Sequence, residues 1–225
     1  MRTSLLVALV GGLLLIPALS LQAQEPTILV TVAPVEGTYT AFDAVNNEVV
    51  VPGNSLDYQI LAELVDPAGS FGIAGLALNL RTNAGMEQPP AVLDPAVWNA
   101  LIPPQGGHPG AGPGEQDDLV GIGGAIQTLL PSPAPPIGLG IGGPVVFAQG
   151  TVTWDEARAL DADPVELSVD MVGGRATVLL AETYPYRVGD AVVTFGAPLT
   201  VVPEPATMLL LLGGAGLLVS RRRRG

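Results

Sequence analysis

The sequence predicts an all-β protein whose body is an antiparallel β-sandwich, and three observations lead to that fold class. Apolar and polar residues alternate along several segments, as where Leu56, Tyr58 and Ile60 are interleaved with polar neighbours; this is the period of a sheet with one solvated face. Clusters of Gly, Pro, Asn and Asp separate the segments, as turns do. About eight such segments occur, which is typical of a sandwich.

The predicted strands form two groups along the chain. They cover residues 27–34, 47–52, 55–65 and 72–82, and then residues 143–154, 165–172, 175–183 and 190–202. Turns are predicted at residues 52–55, 66–70, 173–174 and 187–190, where small and polar residues are concentrated.

An insert at about residues 84–143, rich in Pro and Gly, separates the two groups. A short helix is predicted within residues 93–102, with Asp94 as its cap and Pro95 at its first position. Residues 103–118 and 131–144 are predicted to be loops because of their proline and glycine content. The stretch DDLVGIGGAIQTLL fits either a glycine-weakened helix or another strand.

The first 23 residues have the order of a secretory signal peptide. Arg2 precedes an apolar stretch from Leu5 to Leu19, and small and polar residues follow. We expect removal after Ala23 or, alternatively, after Ser20; an uncleaved anchor helix is the other interpretation. The exported body then comprises residues 24–200, and residues 201–225 form a separate carboxyl-terminal segment.

The body is strongly acidic. Its only basic residues are Arg81, Arg158, Arg175 and Arg187. Of the 21 Asp and Glu residues of the chain, all except Glu204 lie in the body, so the formal charge of the body is −16. Such a surface repels phosphate backbones, so nucleic acid is not expected as a partner. The chain has no cysteine, which excludes disulfides, thiolate metal sites and cysteine nucleophiles.

The carboxyl-terminal segment combines three features in a fixed order. The tripeptide Pro203, Glu204 and Pro205 comes first, the uncharged apolar run 206–219 follows, and Arg221, Arg222, Arg223 and Arg224 end the chain before Gly225. The prolines favour an extended backbone, in which proteases usually bind substrates. The run predicts a transmembrane helix of about 21 Å, which snorkelling arginines would lengthen and keep cytoplasmic.

This arrangement resembles the PEP-CTERM sorting signal of Gram-negative bacteria. The resemblance covers residues 203–225 and implies that an exosortase-type membrane protease recognises Pro203, Glu204 and Pro205. It further implies an inner-membrane anchored precursor held by the helix, with Arg221 to Arg224 as the membrane stop, and then delivery to the cell surface or extracellular matrix. A plain tail anchor is the alternative interpretation.

The body is similar, more weakly, to cohesin-like and carbohydrate-binding-module-like sandwiches. The similarity is carried by VPGNSLDYQILAEL followed by GIAGLALNLRT, and by the later GTVTW and RATVLLAE. The long insert departs from that pattern. The similarity implies the fold only.

No catalytic signature is found in the body. The single histidine, His108, has no GxSxG partner motif and no second histidine, and the glycine-rich stretches lack the strand and helix of a dinucleotide site. Carboxylates for a hydrolase could come from Asp117, Asp118, Asp155, Glu156, Asp161 and Asp163. No cofactor is expected. Asp161 and Asp163 could supply oxygen ligands to calcium, but they lack EF-hand spacing, so a calcium site there is the one exception to test.

We therefore predict a non-enzymatic surface or matrix protein with a structural or adhesive role, in contact with extracellular polysaccharide or protein. A carbohydrate-binding module is the first alternative, since an exposed tryptophan could stack on a sugar ring, and aromatic side chains lining an exposed groove would favour it. Trp154, in a predicted strand, is expected to be core instead. A carboxylate-dependent hydrolase is the second alternative.

Overall fold

The computed structural model describes residues 24–98, 105–157, 163–171 and 176–204, and the described chain is mostly β-strand. The strands are β1 Thr27–Pro34, β2 Ala41–Asp43, β3 Glu48–Val51, β4 Ser55–Asp66, β5 Ile73–Thr82, β6 Gln105–Pro109, β7 Leu119–Ala125, β8 Val145–Thr153, β9 Val165–Asp170, β10 Thr177–Leu179, β11 Val188–Asp190, β12 Val192–Phe195 and β13 Leu199–Pro203; helix α1 is Pro95–Trp98. The all-β class is confirmed.

The strands form two sheets. The first is four-stranded in the order β12-β1-β4-β8. The second is nine-stranded: β11-β10-β5-β9-β13-β3-β2 forms its path, and β7 and then β6 extend it from β5. Buried side chains of both sheets belong to one hydrophobic cluster, as Ile60 of β4 and Leu80 of β5 illustrate. Two sheets around a shared core are compatible with a sandwich.

The pairing is not uniformly antiparallel, which corrects the prediction. β1 pairs with β12 in parallel, and β13 pairs with β3 in parallel. Both pairs arise because the predicted strand 190–202 is two strands in different sheets. The backbone changes sheet at Gly196, where a Cβ would lie 2.7 Å from Thr31 Cγ2, and at Pro198, which lacks an N–H for a sheet ladder.

The insert contributes two strands to the second sheet, where loops were predicted for part of it. β6, which includes His108, lies inside the predicted loop 103–118, and β7 settles the open choice for DDLVGIGGAIQTLL in favour of a strand. Glycine serves close packing here. A Cβ on Gly124 would lie 3.0 Å from Trp98 Cβ, so a larger residue would push α1 off the sheet.

Helix α1 begins as predicted. The Asp94 carboxylate accepts a hydrogen bond from the Ala96 N–H at 2.9 Å, and Pro95 is the first helical residue. Trp98 at the end of the helix is fully buried and meets Phe147 of β8 edge to face, with ring centroids 5.0 Å apart. The helix therefore closes one part of the core.

Tyr58 is the one polar exception in the alternating buried face of β4. Its side chain is 1% exposed, and no described residue gives its hydroxyl a hydrogen bond. Burial raises the pKa of Tyr58 above its ordinary value. A phenol that stays neutral in the folded state stabilises the fold at neutral pH, and this contribution is lost as the pH rises above about 10, where the unfolded phenol ionises.

Tyr58→Phe is therefore expected to stabilise the body. The change removes a buried hydroxyl without a partner and leaves the ring in place, so the free energy of unfolding should rise by about 1 kcal/mol. The loss of stability above about pH 10 should also become shallower. Urea unfolding at pH 7 and pH 10.5 measures both effects. Tyr184→Phe, at a half-exposed ring, is the control; a Tyr58→Phe variant less stable than wild type would contradict the assignment.

Candidate functional site

The candidate sorting tripeptide begins inside the second sheet. β13 lies between β9 and β3: residues Leu199–Val201 pair with β9, and residues Thr200–Pro203 pair with β3. Leu199, Val201 and Pro203 are buried, with half-buried residues between them. The first residue of the tripeptide is thus part of the folded core.

Pro203 fits this position without losing a hydrogen bond to β3. The N–H groups of Thr200 and Glu204 both donate to carbonyls of the β3 side, Asn47 O and Val51 O, at 2.9 Å. Because neighbouring N–H groups in a strand point to opposite edges, the nitrogen of Pro203 faces away from β3. Among the described residues β9 pairs no further than Val201, so this edge of the strand is open at Pro203.

Glu204 is held by two contacts. Its N–H donates to Val51 O at 2.9 Å, and its carboxylate accepts a hydrogen bond from the Thr40 hydroxyl, with 2.6 Å between Oγ1 and Oε1. Thr40 precedes edge strand β2, and its own N–H donates to Val50 O at 2.9 Å. The Thr40 hydroxyl also lies 3.0 Å from Val50 O. A hydroxyl has one hydrogen, and the shorter, charge-assisted bond to Glu204 is the stronger of the two.

Asn47 fixes the start of the same strand. It has a left-handed backbone, with φ of 50°, and its side-chain amide donates to Ala197 O at 3.0 Å and to Pro198 O at 3.1 Å. The turn between β2 and β3 thereby holds the residues that lead into β13. The β2–β3 hairpin contacts the strand at its beginning through Asn47 and at its end through Thr40.

The remaining predicted parts of the sorting segment lie outside the described residues. These are Pro205, the predicted membrane helix 206–219, and Arg221, Arg222, Arg223 and Arg224; the predicted signal peptide 1–23 lies outside them as well. Within the described ranges no helix has the length and apolarity needed to cross a membrane.

A second polar centre, which the sequence did not reveal, surrounds Arg81 of β5. Its guanidinium donates through Nη1 to Asp118 and through Nε to Asp170, both at 2.8 Å, and Glu115 lies 3.6 Å away. The hydrogen bond to Asp118, followed by the one to Asp170, raises the pKa of Arg81 above its ordinary value. Asp118 also accepts from the Thr82 N–H at 2.8 Å. These contacts tie the insert to β5 and β9.

The candidate hydrolase carboxylates Asp117 and Asp118 bind different groups. Asp118 is committed to Arg81, and its neighbour Asp117 accepts a hydrogen bond from the Gly85 N–H at 3.0 Å. Asp155 and Glu156 are exposed. Asp117 and Glu87 line an open cleft of about 530 Å³ whose other walls are Gly85, Met86, Gly114 and Gln116.

The other candidate residues are placed as follows. His108 is exposed on β6, with Nδ1 2.9 Å from Pro109 O. Asp163 is exposed, and Asp161 lies outside the described residues, so the calcium site remains a prediction. In the described part of the chain, no three His, Cys, Asp or Glu residues come together as a metal site would require.

The tryptophans are both core residues. Trp154 is fully buried, as predicted, and Trp98 is too, so neither can stack on a sugar. The outward-facing positions of β1, β4 and β8 in the first sheet carry no aromatic ring, whereas Phe195 of the edge strand β12 in the same sheet is 40% exposed. The most exposed ring among the described residues is Tyr184, which meets Tyr186 edge to face.

Comparison with known proteins identifies the carboxyl-terminal segment. Residues 201–224 match the family model of the PEP-CTERM protein-sorting motif. No curated protein matches the chain. The motif implies processing by exosortase, a membrane-associated sorting enzyme, and marks the chain for the cell surface or extracellular space. The predicted sorting signal is confirmed, and its first two motif residues, Pro203 and Glu204, are docked on the body.

Proposed function

We propose that this protein is a non-catalytic component of the cell surface or extracellular matrix, with a structural or adhesive role. The observation that supports the proposal is that the most closely paired charged groups have structural contacts. Arg81 binds Asp118 of the insert and Asp170 of β9, and it thereby joins the insert to the acidic, β-rich body. Extracellular polysaccharide or basic protein would be its partner, because a formal charge of −16 favours cationic surfaces or cation bridges.

The finer fold assignment belongs to the same proposal. Two sheets on one core support a cohesin-like or carbohydrate-binding-module-like sandwich, and the two parallel pairs depart from a purely antiparallel one. We propose an inner-membrane anchored precursor as the step before release. We also propose that the body folds without a cofactor; a rise in melting temperature with calcium that Asp161→Asn and Asp163→Asn abolish would instead establish a calcium site.

The structural role predicts a matrix defect when sorting fails. We compare matrix resistance to shear in cells that produce the wild-type precursor, the Glu204→Ala precursor, or none. Wild-type protein should be recovered from the matrix without the arginine cluster, and the other two strains should have equally weakened matrix. Glu182→Ala changes an exposed carboxylate away from the motif and should behave as wild type.

The same strains separate the structural role from hydrolysis. Glu87→Gln combined with Asp117→Asn removes both carboxylates of the cleft and leaves the sorting segment intact. Under the structural proposal this variant supports a normal matrix. A sorted, folded double variant with the defect of the null strain would establish a carboxylate-dependent hydrolase, and an unaltered matrix in the null strain would overturn the structural role.

A further inference from the structure

Two residues of the sorting tripeptide, Pro203 and Glu204, are docked on the body, although the enzyme has to contact them. The Pro203 side chain is buried at the end of β13, and the Glu204 carboxylate is bound by Thr40. A site that recognises these two residues by their side chains has to contact the proline ring and the carboxylate. The docked geometry keeps the ring inside the body and the carboxylate hydrogen-bonded to Thr40.

In the sequence, no linker separates the motif from the predicted membrane helix. Pro205 alone stands between Glu204 and the apolar run that starts at Ala206, and one extended residue spans at most about 3.6 Å. An enzyme at the membrane surface therefore meets the motif directly against the body. It cannot reach a free, extended substrate strand unless the end of β13 leaves the sheet.

Local opening is structurally inexpensive at this end of the strand. Val202, Pro203 and Glu204 are bonded on the β3 side only, whereas Thr200 and Val201 are held by both β9 and β3. Peeling the last three residues breaks the pairing of Val202 with Val50, the Glu204 N–H bond to Val51 and the Thr40 contact. It exposes one proline and one half-buried valine, while the buried Leu199 and Val201 stay in place. Such partial openings require less free energy than global unfolding.

We propose that exosortase acts on a locally opened form in which Val202, Pro203 and Glu204 have left β3, and that Thr40, through its bond to Glu204, sets the population of that form. The proposal rests on the sorting function of the motif and adds a residue 164 positions away from Glu204 that governs it. Thr40 acts as a positioning residue. Substrate recognition is limited by the open fraction, because apparent affinity falls in proportion to that fraction.

Thr40→Val is the direct test. Valine keeps the branched shape and removes the hydroxyl donor, so the open fraction and the initial rate of processing should rise about fivefold when enzyme is limiting. The rate is measured with full-length precursor and exosortase in inner-membrane vesicles, as the appearance of protein without the arginine cluster. Thr38→Val is the matched control: its hydroxyl bonds Val35 O at 2.7 Å in the same loop, and its rate should equal that of wild type.

Two further measurements keep the test decisive if Thr40→Val folds poorly. Hydrogen exchange at the Glu204 amide reports the opening itself and should be about fivefold faster in Thr40→Val than in Thr38→Val. A cysteine pair at Val50 and Val202, which face each other across β3 and β13, locks the strand end in a chain that has no other cysteine. The oxidised, crosslinked precursor should resist processing, and reduction should restore it.

The outcomes separate the proposal from the sorting function on which it rests. Equal or slower processing of Thr40→Val, or normal processing of the crosslinked precursor, overturns the opening proposal and indicates that the enzyme reads the docked motif. A wild-type precursor that is not processed at all overturns exosortase sorting of this chain instead.

Discussion

A chain that ends at Pro198 is expected to lose its cooperative fold, whereas a chain that ends at Glu204 is expected to keep it. The first truncation removes β13, an internal strand between β9 and β3. Leu199 and Val201 are both 0% exposed in the fold and Pro203 is buried beside them, so the truncation removes three buried side chains from the core. Burial of three such side chains contributes roughly 5–9 kcal/mol, which is comparable with the entire stability of an ordinary domain, about 5–15 kcal/mol.

The loss extends beyond the strand itself. Without β13, β9 and β3 have unpaired backbone groups inside the sheet, and β3 and β2 lose their connection to the rest of it. The two chains, residues 24–198 and 24–204, are compared by urea unfolding with tryptophan fluorescence, because Trp98 and Trp154 are both buried. A cooperative transition of normal amplitude in the shorter chain would contradict the role of β13.

This expectation constrains where the sorting enzyme can cut. Release of a folded body requires that β13 stay with the product, so cleavage is expected on the carboxyl side of Pro203. Mass spectrometry of protein recovered from the cell surface measures the mature carboxyl terminus. A product that ends before Leu199 and still unfolds cooperatively would contradict both the truncation result and this constraint.

The sequence predicted the elements whose signal is local. The local pattern of apolar and polar residues located β1, β4 and β5 closely, and the Asp94–Pro95 pair located the start of α1. Short strands without alternation, such as β2 and β11, were missed because they are defined by their pairing partners. The glycines of β7 give the segment a weak intrinsic preference for a β-strand. Its close packing against Trp98, which requires glycine at position 124, could not be read from the sequence.

The same distinction applies to the candidate site. The tripeptide could be recognised from sequence because its three parts are contiguous at one end of the chain. Its docking could not, because Thr40 and Glu204 meet only through the parallel pairing of β13 with β3, which places the β2–β3 hairpin against the strand end. The Arg81 centre was missed for the same reason: its partners Asp118 and Asp170 are 37 and 89 residues away.

Arg81→Met is expected to lower the free energy of unfolding by about 3 kcal/mol. Methionine preserves much of the apolar stem but removes the donors to Asp118 and Asp170, and the Asp118 side chain is only 8% exposed. Removing one partner of a largely buried ion pair leaves the other charge uncompensated, and this costs more than the pair contributes. Arg187→Met, at an exposed arginine, should change stability by less than about 0.5 kcal/mol.

A double-mutant cycle identifies the uncompensated charge as the cause. Asp118→Asn removes the charge and keeps an oxygen that can still accept from the Thr82 N–H. The Arg81→Met, Asp118→Asn double variant should therefore be more stable than the sum of the single effects predicts, by about 1–2 kcal/mol. Urea unfolding with an unchanged m-value provides the four free energies. Additive effects, or a loss below about 1 kcal/mol in Arg81→Met, would show that the insert is held by its β7 pairing to β5 and not by this charge network.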